Sequence, residues 1–196
     1  ITYDSTAPTV AISSTESSPA NASPIPITFT FDELLGGFGS TDITVGNGTI
    51  NTILDTGGGI YTGNITPTEE GAVTVDIEAG VCDDVAGNAN IAASQFSITY
   101  DETAPTNQNT VFASDMLVEG GDQVTIVSSG DATNNIWFAP ASTTTFTTGA
   151  TMTLMAIGTS TSISAPAYDG TYYLYIIDLA GNISAASTAA LTVLTV

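Results

Sequence analysis

An eight-residue motif that returns nearly letter for letter fixes the size of the folding unit. Ile1-Thr2-Tyr3-Asp4-Ser5-Thr6-Ala7-Pro8 comes back as Ile98-Thr99-Tyr100-Asp101-Glu102-Thr103-Ala104-Pro105. A second echo pairs Asp84-Val85-Ala86-Gly87-Asn88 with Asp178-Leu179-Ala180-Gly181-Asn182 at nearly the same spacing. A period of this length is a small domain able to bury its own core, so the chain divides into units at 4–100 and 101–196. The second copy of Ile-Thr-Tyr closes a unit. Residues 1–3 are therefore expected to end the last strand of a preceding domain, or to be a strand exchanged with a neighbouring subunit, and the chain reads as an internal piece of something longer.

Period-two alternation marks both units as all-β. Ile27, Phe29 and Phe31 alternate with threonine, and Val73, Val75 and Ile77 alternate with polar residues. Strands are expected in the first unit near 9–13, 25–31, 42–46, 50–54, 60–65, 72–79 and 95–100. Gly36-Gly37, Asn47-Gly48 and Gly57-Gly58-Gly59 supply turns. In the second unit they are expected near 111–113, 124–127, 136–138, 144–147, 152–156, 172–177 and 189–196. Tyr172, Leu174 and Ile176 are expected to face the core, against Trp137.

Twenty Asp and Glu stand against no Lys, Arg or His, giving a net charge of -20. A chain without a cation of its own must disperse its carboxylates, screen them or bind metal. It has nothing with which to neutralise phosphate, which excludes nucleic acid as a partner. The single cysteine, Cys82, forbids an intrachain disulfide and reads as a small core residue. The lack of lysine excludes Lys–Asn isopeptide cross-links and, with the lack of arginine, removes every trypsin site. No apolar run approaches the length of a transmembrane helix, and no basic, apolar leader opens the chain, so no membrane insertion is expected.

Several of these stretches resemble a known family, the bacterial immunoglobulin-like repeats of large extracellular adhesins and other surface proteins. In the first unit the carriers are residues 4–10, Pro24-Ile25-Pro26-Ile27-Thr28-Phe29-Thr30-Phe31, Gly37-Phe38 with Asp42-Ile43-Thr44-Val45, and the 84–88 turn. In the second they are the repeated linker motif, Trp137-Phe138-Ala139-Pro140, Gly170 to Tyr175, and the 178–182 turn. The resemblance implies two tandem immunoglobulin-like β-sandwich domains in an extracellular or cell-surface protein. It further implies a structural role as adhesin stalk or filament subunit, with partners among neighbouring domains or subunits of the same protein. It also implies calcium at domain junctions.

Topology points to a cation independently. In a seven-strand antiparallel sandwich, the second-to-third, fourth-to-fifth and sixth-to-seventh connections lie at the end where the chain comes in. The junction between the units is thereby expected to gather Asp101, Glu102, Asp131, Asp178 and Asn182, with Glu69 and Glu70 approaching from the first unit. The matching end of the first unit offers Asp4, Asp83, Asp84 and Asn88. Oxygen donors of this kind suit calcium, whereas zinc wants His or Cys. The plainer reading stands beside it: Asp-x-Ala-Gly-Asn is also a good turn, with the Asp side chain accepting backbone N–H bonds.

Catalysis has little to work with, since no His, Lys or Arg is present to act as base or electrophile. The carboxylate doublets Asp32-Glu33, Glu69-Glu70 and Asp83-Asp84 read as loop residues, and the chain is expected not to be an enzyme. The alternative function is a glycan-binding module, for which exposed Tyr173 and Tyr175, with Tyr61, are the available aromatics. Four Asn-x-Ser/Thr sequons, at Asn21, Asn47, Asn64 and Asn182, are no more than chance supplies in a chain so rich in Asn and Thr.

Overall fold

The computed structural model of the chain describes residues 3–146, 152 and 155–194. It separates into two compact units, residues 1–102 and 103–196, against an expected boundary at 100. Ile1, Thr2, Thr147, residues 153–154 and 195–196, on which some expected strands fall, lie outside the described residues.

The first unit is a sandwich of two antiparallel sheets. One orders β1 (Val10–Ser13), β2 (Ile25–Phe31), β6 (Ile60–Pro67) and β4 (Gly48–Ile50), with β5 (Leu54–Gly57) also on β6. The other orders β3 (Thr44–Gly46), β7 (Gly71–Asp76) and β8 (Phe96–Tyr100). The alternation read in the sequence is realised: Ile25, Ile27, Phe29 and Phe31 face inward from β2, while Pro26, Thr28 and Thr30 face out. Val73 and Val75 of β7 and Ile98 and Tyr100 of β8 close the core from the opposite sheet. Phe38 stands edge-on to Phe29, Phe31 and Tyr61, so four aromatic rings share one end of this core. Full burial of a side chain such as Phe29 stabilises by about 1.5–3 kcal/mol. Tyr61 is thereby a core residue and no part of an exposed aromatic surface. The expected fourth strand at 50–54 divides into β4 and β5 at Asn51, whose N–H still donates to the Asn64 carbonyl while its side-chain Oδ1, and not its own carbonyl, accepts the Asn64 N–H.

The second unit carries a five-stranded sheet, ordered β12 (Met155–Ile157), β11 (Asn135–Pro140), β14 (Gly170–Ile177), β15 (Ala190–Leu194) and β9 (Met116–Glu119). Facing it is a small pair, β10 (Gln123–Thr125) with β13 (Ser162–Ser164). β15 and β9 run parallel, in register from Leu191–Met116 to Leu194–Glu119. The expected first strand at 111–113 is instead the end of a one-turn helix, α1 (Gln108–Val111), from which Val111 and Phe112 reach the core. A three-residue apolar run fits either backbone, and here the Asn107 carbonyl accepts the Thr110 and Val111 N–H groups and closes the turn.

β14 is covered on both faces. Tyr172, Leu174 and Ile176 face the inter-sheet core with Ile136, Phe138 and Leu191, as expected. Trp137 does not join them. It lies opposite Tyr175 across β11 and β14, on the outer face of the sheet, in a separate cluster with Ala139, Met152, Tyr175 and Ile177. A side chain's face on a strand is set by position parity, so Phe138 takes the core place expected for Trp137.

Candidate functional site

Each Asp-x-Ala-Gly-Asn segment folds into the same turn. In the first unit Asp84 Oδ1 accepts the N–H groups of Ala86 and Asn88, at 2.8 and 2.7 Å, and Oδ2 accepts Asn88 Nδ2 at 2.8 Å. The Asp84 N–H donates to the Asn88 carbonyl, and the Gly87 N–H returns to the Asp84 carbonyl. In the second unit Asp178 Oδ1 accepts the Asn182 N–H at 2.8 Å and Oδ2 accepts Asn182 Nδ2 at 3.0 Å, with the same two backbone bonds. Gly87 and Gly181 both take positive φ, as this reversal requires. The turn reading of the motif is therefore correct in both places.

In the first unit the turn does something more. Asp4, Glu33 and Asp84 each present a carboxylate oxygen, and the three lie within 4.8 Å of one another. They come from three separate stretches: the segment before β1, the end of β2, and the β7–β8 connection. Backbone pairing makes the meeting unavoidable. The Gly36 N–H donates to the Asp83 carbonyl, Leu35 bridges Asp84, and Asn88 Nδ2 reaches the Asp4 carbonyl at 3.3 Å. Gly59, at φ 79°, passes so close to the end of β2 that a Cβ there would stand 2.7 Å from the Glu33 carbonyl oxygen, which fixes where Glu33 leaves the strand.

The electrostatics follow from crowding. Burial, and then the charges of Asp84, Asp4 and Asp32, push the Glu33 carboxyl above its ordinary range. Asp84 is held below its ordinary range by the Asn88 side chain and the turn N–H groups, burial acting against them. One oxygen of Asp4 is taken by the Thr6 N–H at 3.0 Å. Three negative groups thus share a small space in a chain with no basic residue to offset them. The donor set is oxygen only, which fits calcium and not zinc. Cys82 is no member of this group; it is buried, which raises its thiol to about 11.

Glu33 is the member the sequence did not single out. In the sequence it stands only as a loop doublet with Asp32, whereas Asp32 turns away to accept from the Thr9 N–H and hydroxyl, at 2.8 and 2.7 Å. The signal was present: the connection after β2 belongs to the end where the chain comes in. Asp83 does not join the group. Its carbonyl is used by Gly36, and it pairs with Ala89 in the loop ladder.

The remaining residues divide by unit. In the first, Tyr100 donates its hydroxyl to Glu102 Oε2 at 2.7 Å, and the Glu102 N–H donates to Glu70 Oε1 at 3.2 Å. The Asp101 N–H bonds the Ala20 carbonyl, while Asn47 clamps the Glu69 backbone through both side-chain atoms. In the second, Asp131 and Asp178 line one open cleft of about 430 Å³ with Asn107, Ser129 and Asn134. Asp131 Oδ1 accepts the N–H and hydroxyl of Thr133.

The expected exposed tyrosine pair does not exist. Tyr175 is buried at 7% exposure with its ring 4.6 Å from that of Phe146, and Tyr173 is half-buried beside it. Residues from the β11–β12 connection, Phe146 and Met152 among them, pack on this outer face and turn it into a second core.

The sequence matches no curated protein significantly. In three dimensions the chain is similar to the fibronectin(III)-like modules of Clostridium thermocellum CbhA, at 15% identity and a TM-score of 0.49 over 95% of each chain. It is also similar to a C-terminal 282-residue fragment of intimin solved in complex with the intimin-binding domain of its translocated receptor. That likeness has 13% identity and a TM-score of 0.43, over 92% of this chain and 64% of that one. A third is the Yersinia pseudotuberculosis adhesin InvE, at 14% identity and a TM-score of 0.33, over 95% and 58%. The chain thus spans less than two thirds of the intimin fragment and of InvE. No helix among the described residues is long and apolar enough to cross a membrane. The bacterial Ig-like domain family matches residues 4–100, the stretch from the first carboxylate of the group to the last residue of β8, so this part of the chain belongs to that family.

Proposed function

We propose that the chain is a non-catalytic structural segment of an extracellular bacterial surface protein, its sandwiches serving as spacers, and that calcium stiffens the first of them. The observation that carries this reading is the meeting of Asp4, Glu33 and Asp84 within 4.8 Å. One ion there ties the segment entering the unit to the end of β2 and to the β7–β8 connection. Membership of residues 4–100 in the bacterial Ig-like family supports the surface location and the structural role. Asp4 and Asp84 each keep lone pairs that their turn bonds do not use, and Glu33 completes a carboxylate set to which backbone carbonyls and water add the remaining oxygens calcium needs.

The test is a thermal melt of the purified chain in excess calcium and in chelator. Calcium at about a hundred times its dissociation constant adds about 2.7 kcal/mol to the unit that binds it. Glu33→Gln and Asp4→Asn each remove that gain while the fold, followed by circular dichroism, persists. A wild-type melt that ignores calcium, or a gain that both variants keep, refutes the cation half of the proposal.

A further inference from the structure

The segment that enters the first unit is held unevenly along its length. Pro8 is buried, and its carbonyl accepts the Ile91 N–H at 3.1 Å. Thr9 is fastened to Asp32: its N–H and hydroxyl donate to the carboxylate at 2.8 and 2.7 Å, and its carbonyl accepts the Asp32 N–H at 3.2 Å. Asp4, Ser5 and Thr6 are exposed. The Thr6 N–H donates to Asp4 Oδ1, which curls the segment on itself without attaching it to anything else. Among the described residues, one hydrogen bond reaches residues 4–6 from the rest of the unit, that from Asn88 Nδ2 to the Asp4 carbonyl at 3.3 Å.

Asn88 is itself firmly placed. Its N–H donates to Asp84 Oδ1, its carbonyl accepts the Asp84 N–H, and its side-chain amide also donates to Asp84 Oδ2 at 2.8 Å. One amide thus spans the turn and the entering segment. Against it stands the crowding of the Asp4 carboxylate with those of Glu33 and Asp84, within 4.8 Å and with no basic residue to offset them. A neutral amide–carbonyl bond at the surface and the repulsion of like charges at this distance in water are of the same order, so neither dominates. The two motifs that recur together later in the chain are the one that contains Asp4 and the one that ends at Asn88.

We propose that Asn88 is a latch on a hinge at residues 4–6. Closed, the entering segment continues the first sandwich as one body. Open, Asp4 swings away from Glu33 and Asp84, and the segment pivots on the anchored Pro8 and Thr9. Carboxylate repulsion opens the latch, and screening or removing a charge closes it. The stiffness of the joint is thereby set by one amide working against three carboxylates. The latch uses no metal ion, so it stands or falls separately from the calcium reading.

Nitrogen relaxation of the full chain in chelator, read by NMR at the Ser5 and Thr6 amides, tests the latch. In about 1 M salt, where the screening length falls to about 3 Å, wild type should give the order parameters of rigid backbone at both, about 0.85. In about 0.01 M salt they should be lower. Asn88→Ala should fall below about 0.6 at either salt concentration. Glu33→Gln should move the other way and reach the rigid value already in low salt. The alanine keeps the backbone bonds of the turn, and continued protection of the Ile91 amide from hydrogen exchange shows that the unit is folded and Pro8 still anchored. Were Asn88 only a turn residue, its loss would leave Ser5 and Thr6 as they are in wild type, and that result overturns the latch. A wild-type segment that stays mobile in high salt overturns it too. Order that responds neither to salt nor to Glu33→Gln overturns the balance of forces and, with it, the hinge.

Discussion

The two units share a turn and differ in what surrounds it. Asp84 and Asp178 hold the Asn that closes their own turn through the same bonds, yet only Asp84 has two further carboxylates beside it among the described residues. Fourteen of the twenty acidic residues lie in residues 1–102, leaving six for the second unit. Where the first unit follows its second strand with Asp32-Glu33, the second follows β10 with Ile126-Val127-Ser128-Ser129, and hydroxyls stand in the loop instead. The outer faces differ as well. That of β2 and β6 shows Pro26, Thr28, Thr62 and Asn64, while that of β11 and β14 is covered aromatic core. A repeated motif thus guarantees the loop geometry and leaves the chemistry to its neighbours.

The largest effect should separate the cores. Phe29→Ala removes a fully buried ring and costs about 3–5 kcal/mol in the first unit; Leu174→Ala costs about 2–5 kcal/mol in the second. Calorimetry should then show two transitions, each variant moving one of them. A single transition shifted by both variants would break the comparison at its root.

Next comes the outer face of the second unit. Trp137→Ala should cost about 3–5 kcal/mol, as a core residue would. Among the described residues Trp137 Nε1 is buried without a hydrogen-bond partner, so Trp137→Phe removes an unsatisfied donor and should change stability by less than about 1.5 kcal/mol in urea titration. A costly Trp137→Phe would mean that the indole N–H has a partner in solution.

The carboxylate group makes a smaller, signed prediction. Glu33 has a raised pKa in the fold, so its charged form opposes folding; this penalty is absent below its unfolded pKa and sets in as pH rises through the folded value. In chelator near neutral pH, Glu33→Gln should therefore raise the melting temperature of the first unit. Asp32 and Asp84 are lowered, so their contribution is present above the ordinary carboxylate range and lost on acidification through the folded values. Wild type in chelator should accordingly gain stability as Glu33 takes up its proton and lose it at still lower pH, and Glu33→Gln should show the loss without the gain. The smallest effect belongs to the polar face: Thr28→Ala should change stability by no more than about 0.5 kcal/mol.

The legible parts of the sequence were those where one parity alone was apolar. β2 and β7 each have a single hydrophobic face, so their strands and inward residues follow from spacing. β14 runs Tyr-Tyr-Leu-Tyr-Ile-Ile, apolar on both parities, and nothing local says that a segment from between β11 and β12 covers the second one. Trp137 and Tyr175 were misplaced for that reason. β9 and β13 were missed because they are short and pair with strands distant in sequence. Glu33 was passed over because its role depends on Asp4 and Asp84, 29 and 51 residues away, meeting it through backbone pairing.

The parallel pairing of β9 with β15 carries a mechanical consequence. β9 is the first strand of the second unit and β15 its last, and they lie side by side over four residue pairs. Tension drawn through the unit from its first strand to its last pulls these neighbours along their length in opposite senses. The bonds between them are then loaded together in shear, where a hairpin pulled from its open end surrenders its bonds one by one. The first unit has a lesser version, a single parallel bridge from Ala20 to Tyr100 with the Ala20 N–H on the Thr99 carbonyl and the Asp101 N–H on the Ala20 carbonyl. Stretched as one thread, the chain should yield first in the unit that is richer in carboxylates.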